Sequence, residues 1–277
     1  MAYRLAWESF RHTGDLEMNF RIANDARPQV MTLLLATALS VLLWFLPYAE
    51  FLTYPFRIFV TFIHEGGHAL ASLLTWNSVH SLNVSPDGSG VVYSVNGGLL
   101  SQMFVSSAGY VGAMTFGALL LLLIRRSVAA RYVLAASGAL ILMLTVFFGF
   151  LAPLWNLSLP GLFTLVAGLV LPVGLFAAAK YLKPRAAMFL LSFLAVQCVL
   201  NAVFDLKSVF LFSALTDAQT DAANMYAATG IPSIFWAIFW AATGFVIVTL
   251  ALRAYAVSKE SPATQQDLPF EDSPLEV

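Results

Sequence analysis

Long apolar stretches recur along the chain, and short polar segments separate them. A helix needs about 20 mostly apolar residues to cross a membrane. Seven stretches meet or nearly meet that length, which predicts an all-α polytopic membrane protein with six to seven transmembrane helices. The stretches are 30–48, 55–76, 102–124, 131–151, 159–180, 186–207 and 232–254.

Both ends of the chain are more polar than the part between them. Residues 1–29 carry four arginines among aromatic residues, which predicts a polar or interfacial segment. The last residues carry five acids and three prolines, which predicts a disordered acidic tail over 256–277. Residues 30–255 form the predicted membrane-embedded domain.

The segment 78–95 breaks the helical pattern directly after the second apolar stretch. Short runs rich in valine flank Pro86-Asp87-Gly88, which predicts a small β-hairpin. An open strand edge in lipid would leave amides unpaired, so the hairpin must lie within the protein or at the membrane interface. The pattern is compatible with a plain extramembrane hairpin and with a functional one.

Composition supports the membrane assignment and narrows the chemistry. Hydrophobic residues make up 60% of the chain and charged residues 10%, whereas soluble domains carry about 25% charged residues. A net charge of −1 offers no basic field for nucleic acid. The single cysteine excludes a cysteine zinc site, so a metal would need His, Asp or Glu ligands.

The second apolar stretch contains the run His64-Glu65-Gly66-Gly67-His68. Two histidines four residues apart lie on one helix face, and Glu65 lies about 100° away from His64. This is the arrangement of two zinc ligands and a general base. The alternative is a polar packing cluster, but ionisable groups within a membrane are costly and usually functional.

Gly66 and Gly67 each cost about 1 kcal/mol against alanine within a helix. Their presence predicts that a neighbouring helix or a substrate strand approaches this backbone closely.

Catalytic zinc takes three protein ligands, and the sixth stretch supplies a third candidate, Asp205. Gln197, Asn201 and Asp205 recur every four residues and form one polar stripe. Asn201 is predicted to orient Asp205, to donate to a developing oxyanion or to bind the metal. The alternatives are an Asp205–Lys207 pair and an asparagine that joins helices.

Other polar residues are weaker candidates. His80 in the hairpin segment could substitute as a ligand, but a surface position is the simpler interpretation. His12 is expected to be exposed. Asp217 and Asp221 could cap a short helix before the last stretch, with a role at the mouth of the site as the lesser alternative.

Small residues recur every four positions in the third stretch, at Gly109, Ala113 and Gly117. Such a face lets transmembrane helices approach closely. We expect it to pack against the HEGGH helix or the Asp205 helix.

These motifs together resemble a known family. The run HEGGHAL at 64–70, the hairpin after it, Ser-Ala-Gly-Tyr-Val-Gly at 107–112 and Asn201-Ala-Val-Phe-Asp205 are similar to the site-2 protease clan of intramembrane zinc peptidases, and to its M50B-like branch in particular. The resemblance covers about residues 55–235. Asn201 and Asp205 depart from the Asn-Pro and Leu-Asp-Gly motifs of the better-known members.

The resemblance implies a Zn²⁺ ion bound by His64, His68 and Asp205, with Glu65 as the base. It implies a membrane-protein substrate whose helix unwinds and pairs with an edge strand in a lipid bilayer, and a multi-pass protein that we expect in a bacterial plasma membrane. Two other functions stay open: a metal-binding scaffold or assembly factor without proteolysis, and a transporter.

Overall fold

The computed structural model describes residues 27–95, 97–125, 129–212 and 220–256, apart from the side chains of Trp44 and residues 205–212. Most of the predicted N-terminal segment 1–29 and of the predicted tail 256–277 lies outside these residues. Those two boundaries therefore stay predictions.

The described chain is mainly helical, because its apolar stretches satisfy their backbone groups internally. The helices are α1 (Arg27–Phe45), α2 (Ala49–Leu74), α3 (Leu99–Arg125), α4 (Ala130–Leu144), α5 (Ala152–Trp155), α6 (Leu162–Tyr181), α7 (Pro184–Phe212), α8 (Asp221–Thr229) and α9 (Ser233–Ala256). A π-helical segment, Thr145–Leu151, joins α4 to α5.

Five helical segments of the described chain are long and apolar enough to cross a membrane. They are Leu99–Arg125, Ala130–Trp155, Leu162–Tyr181, Pro184–Phe204 and Ser233–Tyr255. Helix α1 is apolar over the shorter range Arg27–Leu43, and α2, which carries the HEGGH run, is not among the five. The prediction of six to seven spans is thus supported for five, and the remaining spans stay predictions.

The predicted hairpin is confirmed. Strands β1 (Val79–Val84) and β2 (Gly90–Ser94) pair antiparallel, with Leu82 opposite Val92, and the register shifts at His80. On the other edge of β1, the amide of Val84 donates to the Thr164 hydroxyl of α6 at 2.9 Å, and that hydroxyl donates to the Val84 carbonyl at 3.2 Å. The hairpin therefore lies against the helices with these backbone groups satisfied.

Helix α3 lies at the centre of the helical packing and contacts α2, α7, α8 and α9. The small-residue face predicted for α3, formed by Gly109, Ala113 and Gly117, permits this close packing. A methyl group on Gly117 would lie 3.1 Å from the Ala195 carbonyl of α7. Helix α1 packs on α7 through a separate apolar cluster, which comprises Ala36, Leu43, Ala49, Phe193 and Val196.

Candidate metal centre

Helix α2 presents His64 and His68 on successive turns of the face that packs against α3. Their ring centroids lie 4.8 Å apart, as expected for an i, i+4 pair. Both side chains are largely enclosed, with exposed fractions of 14% and 8%. The spacing of the HEGGH run therefore brings two imidazoles together in a sheltered position.

The carboxylate that meets these imidazoles belongs to Asp221, the first residue of α8. Its Oδ2 atom lies 3.2 Å from Nε2 of His64 and 3.2 Å from Nε2 of His68. The preceding residue, Thr220, caps α8 by accepting a hydrogen bond from the amide of Ala223 at 3.2 Å, which places Asp221 at the start of the helix.

The three groups form the cluster of His, Cys, Asp and Glu side chains that could hold a metal among the described residues. In a tetrahedral zinc site with metal–ligand distances of about 2.0–2.1 Å, neighbouring ligand atoms lie about 3.3 Å apart. The two oxygen–nitrogen distances match that value. Two imidazoles and one carboxylate also leave a position for water, as catalytic zinc sites do.

Charge at Asp221 suits a ligand. Burial opposes ionisation of its carboxyl group, but the neighbouring imidazoles of His68 and His64 outweigh burial and hold its pKa below the usual range. A metal ligand must be deprotonated, and a lowered pKa is the direction that a carboxylate ligand requires.

Space for an ion is created by Gly109 of α3. A methyl group at this position would overlap Nε2 of both His64 and His68. The absence of a side chain leaves a cradle beside the two nitrogen atoms that point toward Asp221. Donor chemistry and spacing thus fit a zinc ion, and the missing side chain of Gly109 lets both nitrogen atoms approach α3.

The two glycines within the HEGGH run are explained by close neighbours. A methyl group on Gly67 would overlap the Ala108 carbonyl oxygen of α3, and one on Gly66 would lie 2.6 Å from Cδ1 of Leu144. The predicted close approach is therefore made by neighbouring helices. It holds α2 and α3 together at the level of the histidines.

Glu65 faces the hairpin. Its side chain is buried, and a methyl group on Gly90, the first residue of β2, would lie 2.6 Å from its Oε1 atom. The carboxylate of the predicted base thus lies at the end of β2 and one residue from a histidine of the cluster.

Neither candidate of the sixth stretch, Asp205 or Asn201, is part of the metal cluster found among the described residues. Asp205 lies on α7, but its side chain lies outside the described part, so its predicted ligand role stays untested. Asn201 donates from Nδ2 to the backbone oxygen of Gln197 at 2.9 Å and to its Oε1 at 3.1 Å, and Gln197 donates to Ser40 of α1 at 3.3 Å. The hydrogen bonds of Asn201 are therefore made within its own helix, and its catalytic role stays a prediction.

The remaining histidines are not part of the described cluster. His80 lies half-buried at the register shift in β1, and His12 lies outside the described residues.

From the sequence, Asp221 is expected to have only a lesser place at the mouth of the site, because the third carboxylate is expected within an apolar stretch. A count of acids could have found it, since Asp205, Asp217 and Asp221 are the acidic residues between 88 and 259. The pair Thr220-Asp221 also carries a helix-start signal, which predicts an ordered position for the carboxylate.

Comparison with known proteins gives one result. The model of the family described as Peptidase M50B-like matches residues 33–251. The match includes both histidines, Glu65, Asp221 and the hairpin. No curated protein and no solved structure matches the chain.

Proposed function

Because the chain belongs to the Peptidase M50B-like family, we propose that it is an intramembrane zinc metallopeptidase. It hydrolyses a peptide bond in or near a membrane-spanning substrate, in a membrane of the bacterial plasma-membrane type. The observation that carries the proposal is the convergence of His64, His68 and Asp221 beside Glu65. The five helices that are long and apolar enough to cross a membrane support a protein that is embedded in a bilayer.

In this proposal, His64, His68 and Asp221 hold the ion, and Glu65 is the general base. A bound zinc ion would supply Lewis acidity that polarises the scissile carbonyl and activates a water molecule. Glu65 removes a proton from the attacking water and later delivers it to the leaving amine. The buried position of Glu65 keeps bulk water away from this transfer.

The hairpin supports an extended substrate. Within the described residues, β2 pairs with β1 alone, and Val91 and Tyr93 expose their side chains. A substrate segment unwound to a strand could add to the free edge of β2 through main-chain hydrogen bonds. Because β2 begins beside Glu65, such pairing would bring a substrate backbone to the base.

The experiment compares wild type with Glu65→Gln, Asp221→Asn and Asp205→Asn. Each protein is produced in cells that lack the wild-type chain, and new protein termini in the membrane fraction are identified by mass spectrometry. Zinc in the purified proteins is measured by elemental analysis. Glu65→Gln should retain zinc and lower cleavage by about 10²–10⁴-fold, because it removes the base and keeps the ligands.

The two aspartates distinguish the ligand assignments. Asp221→Asn should lose zinc and cleavage together, and Asp205→Asn should retain its zinc. The opposite result would move the third ligand to Asp205. Cleavage that survives Glu65→Gln would contradict the mechanism, and zinc without any wild-type cleavage would favour a non-proteolytic metal-binding scaffold.

A further inference from the structure

The two imidazoles of the metal cluster are held in different ways. Nδ1 of His68 lies 2.7 Å from the Val105 carbonyl of α3. A carbonyl oxygen can only accept, so Nδ1 carries a proton, and Nε2 is the nitrogen that would bind a metal. Such a hydrogen bond outside the ligand shell is usual for a metal-binding histidine.

His64 is held by an aromatic contact instead. Among the described residues, its hydrogen bond is the one between Nε2 and Asp221. The ring of Tyr110 stands at 88° to the imidazole with the centroids 4.8 Å apart. This edge-to-face geometry is a favoured arrangement of aromatic rings.

Tyr110 is fixed in turn by the last helix. Its ring stacks on Trp240 of α9 with centroids 5.1 Å apart and an angle of 24° between the planes. Both aromatic side chains are buried, and Trp240 is 0% exposed. The stacked tryptophan therefore restricts rotation of the Tyr110 ring.

The tryptophan is itself anchored to α3. Its Nε1 donates to the Ser107 hydroxyl at 3.0 Å, and that hydroxyl donates to the Met103 carbonyl at 2.8 Å. Ser107 lies one turn before Tyr110, so one face of α3 fixes the tryptophan both by a hydrogen bond and by a stack.

We propose that Trp240 is a positioning residue for the metal site, which acts through Tyr110 to hold the His64 ring toward Asp221. This chain of Ser107, Trp240, Tyr110 and His64 replaces the hydrogen bond that orients His68. The inference rests on the proposed metal site and does not depend on peptide hydrolysis.

The test measures metal binding by the full chain in detergent micelles. Bound metal is removed with a chelator, and the protein is titrated with zinc against a chromophoric competitor and separately with Co²⁺. The visible absorption of Co²⁺ reports the geometry of its ligands. The variants are Trp240→Leu, Trp240→Phe and Ser107→Ala, and the matched control is Trp236→Leu.

Trp240→Leu should weaken zinc binding by about 10–100-fold, the usual effect of losing a group that orients a ligand. It should also change the Co²⁺ spectrum, because His64 can then turn. Ser107→Ala and Trp240→Phe should have smaller effects in the same direction. Trp236 lies one turn earlier on α9, and its ring contacts Phe239, so Trp236→Leu should match wild type.

The outcomes separate the two proposals. A wild-type protein that binds no zinc overturns the metal site. If wild type binds zinc and the Trp240 variants match it in affinity and spectrum, the positioning role alone is wrong. If Trp240→Leu does not fold to a monodisperse protein, Trp240→Phe and Ser107→Ala decide, and unchanged affinity in both overturns the inference.

Discussion

A side chain at Gly109 of α3 would collide with both histidines of the cluster. Glycine is needed here for a steric reason, because a methyl group would push the Nε2 atoms of both histidines away from Asp221. Gly112, three residues later, differs sharply. A methyl group there meets its nearest atom, the Cα of Gly67, at 3.6 Å, which is ordinary van der Waals contact.

We therefore predict opposite results for two matched substitutions. Gly109→Ala should lower zinc content to below about a tenth of the wild-type value, because displaced ligands bind metal much more weakly. Gly112→Ala should retain the wild-type content. Elemental analysis of the purified proteins checks both, and full zinc in Gly109→Ala would contradict the steric account.

Residues of the site differ in how far the sequence reveals them. His64, Glu65 and His68 are found from helical periodicity, because four-residue spacing alone determines their common face. Asp221 cannot be found from periodicity, because 157 positions of the sequence separate it from His64. No local pattern encodes that contact, and a search limited to apolar stretches leads to Asp205 instead.

The hairpin turn is fastened to α2 by three side chains that lie on one face of the helix. The Tyr54 hydroxyl donates to the Pro86 carbonyl at 2.6 Å, and the Thr61 hydroxyl donates to the Gly88 carbonyl at 2.8 Å. Arg57 packs on Gly88, whose φ of 84° requires glycine. Glu65 continues this face, so the same helix surface holds the turn and carries the base.

We predict that loosening this contact makes the turn more dynamic and leaves the metal site intact. In a double variant, Tyr54→Phe and Thr61→Val, the amides of Ser85 and Gly88 should exchange with deuterium about tenfold faster, because both hydrogen bonds to the turn are lost. Hydrogen exchange followed by mass spectrometry measures this, and zinc content should stay at the wild-type value.

Thr243→Val provides the control for removing a helical threonine hydroxyl, since Thr243 bonds to the Phe239 carbonyl of its own helix. Faster exchange of the turn in this control, or none in the double variant, would contradict a specific role for α2.

Elements were easier to predict than their contacts. Pro86-Asp87-Gly88 between two β-rich runs identified the hairpin, because turn chemistry is local. Its attachment to Thr164 joins residues 80 positions apart, which no pattern in 78–95 could indicate. A short helix was expected with Asp221 as a cap, but the cap of α8 is Thr220 and Asp221 is the first helical residue. No pattern in the sequence indicated that α8 would bring Asp221 to the histidines of α2.

The metal cluster joins α2 to α8, two elements that are distant in sequence. A metal that binds only the folded state stabilises it according to its concentration and affinity. We predict that zinc at about 100 times its dissociation constant contributes about 2.7 kcal/mol and raises the thermal midpoint by about 5–10 °C.

A thermal unfolding scan in detergent, with and without zinc, measures this shift. Asp221→Asn is the control, because it keeps the helices and removes one ligand. An equal shift in Asp221→Asn would show that zinc stabilises the protein elsewhere.

The separation of 157 residues between His64 and Asp221 also orders events in time. Chains are synthesised at about 5–20 residues per second, so the carboxylate follows His64 out of the ribosome by about 8 to 30 s. Among the described helices, the remainder of α8 and the whole of α9 follow it. A nascent chain thus carries two ligands through most of its synthesis, and the complete set assembles when nearly all helices have been made. If the cluster binds a metal as proposed, biogenesis itself would delay metal-dependent chemistry until most of the surrounding helices have been made.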